Sequence, residues 1–324
     1  MSHTHLDGRL LTPSRRSLLA LPSALGGLLW LLAGYGLGGG WQVLCMLLGL
    51  ATLGTAAVIL WQPLGRRAPQ LVSLIAVLDF LFTLPMLWPL SVLWWFLLLA
   101  SAVATYLASG YLSLLRVRIE TGMPAIDIHW RQALKAAADE AVLGYFVGTV
   151  AIPRGDRLAR IARECREGLE WFGSRGFLDN PAGYHRAPPA LTDFRLDPRS
   201  GSGFQYQRLL WPSAYVPAND EPGAARWLAY TNTQTAHARI FQHAGGPRPW
   251  LICIHGYRMG WRWIDFRLFQ PAWLHHALGL NLALPTLPLH GQRRLGMRSG
   301  DGFMDGDLMD IIHAEAQAQW DLRR

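Results

Sequence analysis

The chain has 324 residues, of which 51% are hydrophobic and 16% are charged. Soluble domains carry roughly 25% charged residues, so this composition favours a membrane protein over a wholly soluble one. The formal net charge of +8 comes from arginine, because Lys135 is the only lysine. No basic run exceeds two residues and no basic-aromatic stripe is present, which argues against a nucleic-acid partner.

Four apolar stretches in the first part of the chain are each long enough to cross a bilayer, which takes about 20 helical residues. They predict four transmembrane helices, with the lipid bilayer as the first expected partner. The stretches are residues 17–36, 41–62, 70–88 and 91–114.

Arginines flank these stretches on one side only. The turns after the first and third stretches are short and uncharged, whereas arginines precede the first stretch and follow the second and fourth. The positive-inside rule therefore predicts an integral membrane protein with both termini in the cytoplasm. The arginines are Arg9, Arg15, Arg16, Arg66, Arg67, Arg116 and Arg118.

Asp79 is the one ionisable residue inside a predicted span. An intramembrane carboxylate is a candidate functional group by default. The alternative is a helix-packing residue that is hydrogen-bonded to Thr83, one turn further on. No Glu, His or Arg in the other spans completes a proton relay, so the pattern argues against a transporter.

Residues 119–205 are predicted to form a helical connector and linker. Residues 128–151 suggest one helix or a helix pair. Apolar residues at helical spacing over 156–172 predict an amphipathic helix, with Asp156 as N-cap and Gly173 just past its end. Its arginine-rich outer face fits either anionic lipid or a solvated surface. Residues 180–203 are rich in Pro, Gly, Asp and Ser, which predicts a loop.

The last third of the chain has the pattern of an α/β domain. Short strand patterns at 208–216, 226–230 and 236–243 precede a continuous apolar run at 250–254, which is typical of a buried parallel strand. The run ends in the turn His255-Gly256. A second apolar strand and turn follow at 282–291 and end in His290-Gly291, and a helix is predicted over 304–324.

This order of strand, His-Gly turn, helix, strand, turn and helix resembles the first half of an α/β-hydrolase domain, in the dienelactone-hydrolase-like and peptidase-like branch. The resemblance covers about residues 208–324. It implies that a backbone N–H of Tyr257 or Arg258 stabilises an oxyanion, with His255 and Gly256 shaping the turn. It also implies a substrate-binding loop at His290 and Gly291.

Two arginines of that loop, Arg293 and Arg294, are expected either to bind a substrate carboxylate or phosphate or to be structural. The family's next element is a strand leading into a G-x-S-x-G turn that carries the nucleophile, and no such motif occurs in the chain. No catalytic residue is therefore expected within it. The nucleophile, acid and base are expected beyond Arg324, in a protein of which this chain is a truncated part.

No metal or cofactor is predicted. The acidic residues Asp301, Asp305, Asp307 and Asp310 do not have EF-hand spacing, and helix N-capping by Asp305 or Asp307 is the expected use. His275, His276 and His313 lack metal-ligand spacing and are expected to be structural. Three scattered cysteines predict no disulfide framework.

The sequence thus predicts an α-helical membrane domain of four transmembrane helices at residues 1–118. A helical connector follows at 119–205, and an incomplete α/β domain resembling the first half of an α/β-hydrolase sheet lies at 206–324. The resemblance implies a membrane-anchored serine hydrolase for ester or acyl substrates, lipid-like ones included, with a cytoplasmic hydrolase-like domain. This polypeptide alone is expected to be inactive. The alternative is a non-catalytic membrane protein whose hydrolase-like remnant binds a ligand.

Overall fold

A computed structural model describes residues 12–62, 65, 67–116 and 128–324. Arg9, Arg66 and Arg118, on which part of the orientation argument depends, lie outside the described residues, as do residues 119–127 of the predicted connector. The chain divides into two compact units, Met1–Thr149 and Val150–Arg324.

The first unit is a helix bundle. Four of its helices are long and apolar enough to cross a membrane, judged by length and composition, and they match the four predicted stretches. A 3₁₀ turn at Leu84–Leu87 extends the third helix. The helices are α1 (Pro13–Tyr35), α2 (Gly39–Trp61), α3 (Ala68–Thr83), α4 (Val92–Leu114) and α5 (Trp130–Gly148).

Large apolar side chains cover the outside of this bundle, whereas its inside combines apolar side chains such as Trp30 and Leu98 with many small and polar ones. Leu18 and Leu93 are each 69% exposed. Such a surface is unstable in water but compatible with a lipid bilayer, where small residues let helices pack closely. The buried polar residues include Ser23, Thr52, Thr55, Ser73, Thr83, Thr105 and Ser109.

Helix α5 packs against α3 and α4 as a fifth member of the bundle. Ser73 of α3 donates to the carbonyl of Ala137 at 2.6 Å, and Ser113 of α4 donates to Glu140 at 2.7 Å. Gly110 lies so close to the backbone of Ala133 that a Cβ there would collide with it. One helix, rather than a helix pair, therefore forms within residues 128–151.

The Asp79 carboxylate is buried between helices. It accepts a hydrogen bond from Thr52 of α2 at 2.8 Å. The predicted partner, Thr83, instead donates to the backbone carbonyl of Asp79 at 2.7 Å. The predicted hydrogen bond between Thr83 and Asp79 therefore forms, but at the backbone of Asp79, because a Thr one helical turn on reaches the backbone carbonyl more easily than the side chain.

The second unit contains a five-stranded mixed sheet in the order β1-β2-β3-β5-β4. Strands β4 and β5 are parallel, and all other neighbours are antiparallel. The elements are α6 (Gly155–Ser174), β1 (Arg195–Gly201), β2 (Phe204–Pro212), α7 (Ala224–Leu228), β3 (Thr235–Phe241), β4 (Trp250–Ile252), α8 (Arg262–Phe269), β5 (Asn281–Thr286) and α9 (Leu308–Leu322).

Two predicted elements differ from the structure. Residues 180–203 contain strand β1, because Ser202 and Gly203 both have positive φ (54° and 78°) and form a tight hairpin turn to β2. Residues 226–230 lie in and after the short helix α7 rather than in a strand, and Trp227 of that helix is fully buried.

Helix α6 also differs in detail. It begins after Arg154, which occupies the N-cap position predicted for Asp156, and it continues through Gly173 to Ser174. Its arginines do not form one outer face. Arg160 turns inward and forms ion pairs with Glu164 at 2.9 Å and with Asp307 at 2.5 Å.

Strand β4 was predicted to be buried and is instead an exposed edge. Trp250 is 50% exposed and Ile252 is 52% exposed. Among the described residues, β5 is the one strand that pairs with β4. An apolar run indicates that a strand is suited to burial by neighbouring elements. In the part of the chain that the structure describes, no strand pairs with this edge of β4.

Candidate functional site

The candidate site lies at the end of the two parallel strands. Because β4 and β5 run in the same direction, their carboxyl ends meet at one edge of the sheet. The turn at 253–261 after β4 and the loop at 287–300 after β5 contact each other there. This edge is the usual place for ligands in sheets with parallel strands.

Two glycines allow these turns to approach closely. Gly260 and Gly291 have φ values of +91° and +51°, and a Cβ on Gly291 would lie 2.5 Å from the Gly260 carbonyl oxygen. Side-chain acceptors then fix both backbones. Gly260 N–H donates to Asp265 at 3.0 Å, and Gly291 N–H donates to Ser299 at 2.8 Å. The two turns therefore form one rigid substructure.

His255 joins the two turns. Its Nδ1 donates to the Gly256 carbonyl at 2.9 Å, and its Nε2 accepts from the Leu287 N–H at 3.1 Å. This pairing requires a neutral imidazole. Burial lowers the pKa of His255, which favours the same neutral form. Both ring nitrogens are therefore occupied by backbone groups.

His290 lies beside His255, with ring centroids 5.0 Å apart. Its Nδ1 donates to the Pro288 carbonyl at 2.9 Å. Burial, opposed by this hydrogen bond and reinforced by neighbouring positive charge, lowers the pKa of His290 to about 4. Its Nε2 is buried and makes no hydrogen bond within the described part of the chain. It is thus a neutral acceptor facing the backbone of Gly300.

Tyr257 and Arg258 form the tip of the turn after β4. Met259 N–H donates to the Gly256 carbonyl at 3.2 Å and closes that turn. The Arg258 residue has φ +66°, and its guanidinium lies 4.7 Å from the centroid of the Tyr257 ring. The same guanidinium forms an ion pair with Asp301. The turn is therefore held by its own side chains.

Gly256 is an exposed residue of this turn. A Cβ placed on it would meet only the Met259 sulfur, at 3.7 Å. The backbone here is exposed, in contrast to Gly260 and Gly291. The position therefore leaves space beside the backbone for a bound group.

The two arginines of the second loop occupy different places. Arg293 is fully buried, donates to the carbonyls of Thr286 and Thr233 at 3.0 and 2.7 Å, and forms an ion pair with Asp321 at 2.8 Å. Arg294 is partly exposed, donates to the Gly291 carbonyl at 3.1 Å and lies 5.0 Å over the Trp261 ring. Arg293 is therefore turned into the protein.

Each aspartate of the predicted acidic cluster pairs with an arginine. Asp307 is the N-cap residue of α9 by position, but its side chain makes no capping hydrogen bond because it pairs with Arg160. Asp305 accepts from Gly302 N–H at 3.2 Å, inside a turn rather than at a helix end. Asp307 thus occupies the predicted N-cap position, but the predicted capping hydrogen bond does not form with either aspartate. The other pairs are Asp301–Arg258, Asp305–Arg157 and Asp310–Arg226.

Two residues that position the site were not singled out from the sequence. Asp265 accepts from Gly260 N–H and pairs with Arg239 of β3 at 2.8 Å, so it connects the turn after β4 to the sheet. Ser299 connects Gly291 to the Met259 carbonyl. In the sequence, Arg239 alternates with the apolar residues Ala238 and Ile240, and this pattern indicates a strand with a charged side chain that needs an acidic partner such as Asp265. No local signal marks Ser299.

The assembled groups offer backbone donors and neutral imidazoles, but no activated nucleophile. Cys253, next to the site, is packed among aromatic and aliphatic side chains, and burial raises the pKa of its thiol, which keeps it unreactive. In the described ranges, no group of three or more His, Cys, Asp or Glu side chains is arranged to hold a metal ion.

Two proteins of Mycobacterium tuberculosis are similar to part of this chain. Uncharacterized protein MT2702, of strain CDC 1551 / Oshkosh, is 38% identical over 192 residues. Uncharacterized protein Rv2627c, of strain H37Rv, is 37% identical over 192 residues. The matched part is 59% of this chain and 46% of each relative, so the chain spans about half the length of the curated relatives it matches. No family model matches the chain.

Proposed function

We propose that the second unit is the N-terminal part of an α/β-hydrolase-type domain on a membrane anchor, and that the complete protein hydrolyses esters or related acyl compounds. The proposal places the serine, acid and histidine of the reaction outside residues 1–324. It depends most on one observation, the exposed apolar edge of β4, which lies next to the turn of His255 and Gly256.

The character of that edge supports a further strand beside it. Trp250, Ile252 and Ile254 are at least half exposed, and a further strand together with the helix packed on it would cover them. Burying such side chains stabilises a fold by roughly 1.5–3 kcal/mol each. A parallel strand paired there would end beside His255 and Gly256. A serine on the turn that follows it would then face the backbone of Tyr257 and Arg258.

The chemistry of the proposed site follows from this placement. Attack by the serine on an ester carbonyl builds negative charge on the carbonyl oxygen. The turn at 256–258 is open on the Gly256 side. The Gly256 N–H donates to the Met259 sulfur at 3.3 Å, so the proposal assigns the oxyanion to the backbone N–H of Tyr257 or Arg258, as the resemblance implies. His255 holds the two turns together, and His290 packs beside it. We assign the general base to a histidine beyond Arg324, because the α/β-hydrolase triad follows the chain order serine, acid, histidine.

The membrane anchor bears on the substrate. A domain tethered to a bilayer meets lipid-like substrates at high local concentration, and we therefore include membrane-derived acyl compounds in the proposal. From the positive-inside rule we also propose that both termini and the hydrolase-like unit lie on the cytoplasmic side, since the arginines cluster at the span ends of that side.

The experiment has two arms. The coding DNA past codon 324 is read in all frames, where a strand followed by G-x-S-x-G is expected within about twenty residues. The encoded protein is then treated with a fluorophosphonate probe. Labelling at that serine, its loss on Ser→Ala, and no labelling of residues 1–324 alone are expected. Labelling of the 324-residue chain, or a downstream sequence without the motif, contradicts the proposal.

A second candidate function is ligand binding without catalysis. The observation that favours it is that backbone groups occupy both ring nitrogens of His255 and that the one remaining acceptor, Nε2 of His290, is buried, so both imidazoles serve the structure of the two turns. An absent downstream motif together with measurable ligand binding would select this candidate.

A further inference from the structure

We propose that a cleft on one face of the sheet of the second unit binds an oxyanion, a phosphate or carboxylate group. Four arginines line it, and we call it the arginine cleft: Arg199, Arg208, Arg239 and Arg262. Its volume is about 350 Å³, which is the size of small-molecule sites. The site is independent of hydrolase chemistry and goes beyond the function proposed above.

The sheet register builds the cleft. Arg208 of β2 lies directly opposite Arg239 of β3. Like charges at directly opposed positions normally destabilise a sheet. Arg199 on β1 lies opposite Tyr206, on the same face. Arg262 is the first residue of α8. Its guanidinium lies over Gly201 of β1, on the same face of the sheet as Arg199. Four cations from four elements thus converge.

The acidic groups nearby do not balance these charges. Asp197 is shared by three arginines, with distances of 2.7 Å to Arg195, 2.8 Å to Arg208 and 3.5 Å to Arg199. Asp265 pairs with Arg239 at 2.8 Å. Two carboxylates therefore serve the four arginines of the cleft and also Arg195, which lies outside it.

Two of the cleft arginines have unused donors. Arg262 makes no ion pair within the part of the chain that the structure describes, and it is exposed. The Nε of Arg208 is buried and lacks a hydrogen-bond partner among the same residues. The exposed guanidinium of Arg262 is therefore the group of the cleft that is most available to an incoming oxyanion.

The pKa of His237 is lowered by the positive charges of the cleft, in addition to burial. It lies on β3, two residues from Arg239, and lines the cleft. Burial, followed by the charges of Arg293, Arg208 and Arg239, lowers the pKa of His237 to about 4. The imidazole is therefore neutral near pH 7, and the positive charge of the site resides on the arginines.

The side chains select the chemical class of ligand. Guanidinium groups form paired, planar hydrogen bonds with carboxylate and phosphate oxygens. Tyr206, Trp261 and Trp263 line the same cleft and offer apolar surface for the organic part of a ligand. Thr286 and Gln292, also in the lining, follow or end β5, so the cleft opens near the edge of the sheet where the candidate site lies.

Calorimetric titration of the full chain in detergent micelles tests the proposal. The soluble probes are inorganic phosphate, phenyl phosphate and acetate. Vesicles of phosphatidylcholine with and without phosphatidate test whether a lipid headgroup supplies the oxyanion. Binding of a soluble probe assigns the site to free small molecules, and binding of phosphatidate vesicles alone assigns it to lipid. Absence of binding by every probe overturns the proposal.

The variant Arg262→Gln is expected to weaken binding about tenfold, because it removes one charge-assisted contact without breaking an ion pair. Arg199→Gln is expected to act in the same direction. The matched control is Arg267→Gln, an exposed arginine of the same helix α8 that does not line the cleft, which should stay within about twofold. Equal affinities for all three variants and the unaltered chain overturn the proposal.

A second readout is independent of affinity. Bound phosphate adds negative charge beside His237, so the pKa of His237, followed by the proton resonance of its ring, should rise when phosphate is present. An unchanged His237 titration at saturating phosphate contradicts a site in this cleft.

Discussion

At the scale of single residues, two neighbouring arginines have opposite roles. Arg293 is buried and donates to two backbone carbonyls and to Asp321, whereas Arg294 is partly exposed and lies over Trp261. Breaking a buried ion pair leaves the other charge unpaired, which costs far more than losing a surface contact. The adjacent positions therefore form a natural pair for mutation.

We expect Arg293→Met to lower the free energy of unfolding of the second unit by about 3–5 kcal/mol. The control Arg294→Gln should cost under about 1 kcal/mol. Pulse proteolysis in urea, with the chain in detergent, measures both. The double variant Arg293→Met with Asp321→Leu should recover much of the loss, because no buried charge is left unpaired. A single variant that costs no more than the control would show that Arg293 does not hold the loop to α9.

The buried imidazole of His290 predicts a pH dependence of stability. Its folded pKa of about 4 lies below the value of 6.5 for an unperturbed His, so the unfolded state binds the proton more readily. Stability is therefore full above pH 6.5 and is lost as the pH falls towards 4, by on the order of 3 kcal/mol. The His290→Gln variant should have a shallower decline over the same window when the unfolding midpoint is measured against pH. Parallel curves for both chains would contradict this assignment.

At the scale of elements, an ion-pair network joins three helices of the second unit. Arg226 of α7 contacts Glu164 of α6 at 2.6 Å and Asp310 of α9 at 2.8 Å, and both carboxylates are buried. Arg160 and Asp307 extend the network between α6 and α9. Without Arg226, two buried carboxylates lose their main partner.

Replacing Arg226 by Met should destabilise the docking of α6 and α9 by about 3–5 kcal/mol. Arg163→Gln is the matched control, since Arg163 lies on α6 and forms only an exposed pair with Glu167 at 3.7 Å. Hydrogen exchange of the α9 amides should be faster in Arg226→Met and unchanged in the control. Equal protection of α9 in both variants would mean that apolar packing alone holds the helices.

At the scale of the whole molecule, the bundle of the first unit exposes large apolar side chains and buries its polar ones among apolar neighbours, which is compatible with a bilayer. Four spans imply that the chain enters and leaves the bundle on the same side of the membrane. The turn between α1 and α2, at Gly38, would then lie on the opposite side.

Cysteine labelling tests that topology. In intact cells, Gly38→Cys should react with a membrane-impermeant maleimide, because Gly38 is exposed with open space around it. Cys165, in α6, should react only after the membrane is permeabilised. Cys45 is fully buried in the bundle and serves as an unreactive internal reference. Labelling of Cys165 from outside would reverse the orientation proposed from the arginines.

The sequence by itself determined the four apolar helices and the presence of two strands near residues 250 and 282, because these depend on local hydrophobic runs and on turn residues. That these strands are parallel was implied by the resemblance, and β4 ends at Ile252, two residues before the predicted end. Tertiary structure decided which charged groups meet. Arg199, Arg208, Arg239 and Arg262 converge through strand register and helix packing, which no local spacing records. It also decided that β4 is an exposed edge and that Arg293 is buried, since burial is a property of what packs on a residue and not of the residue alone.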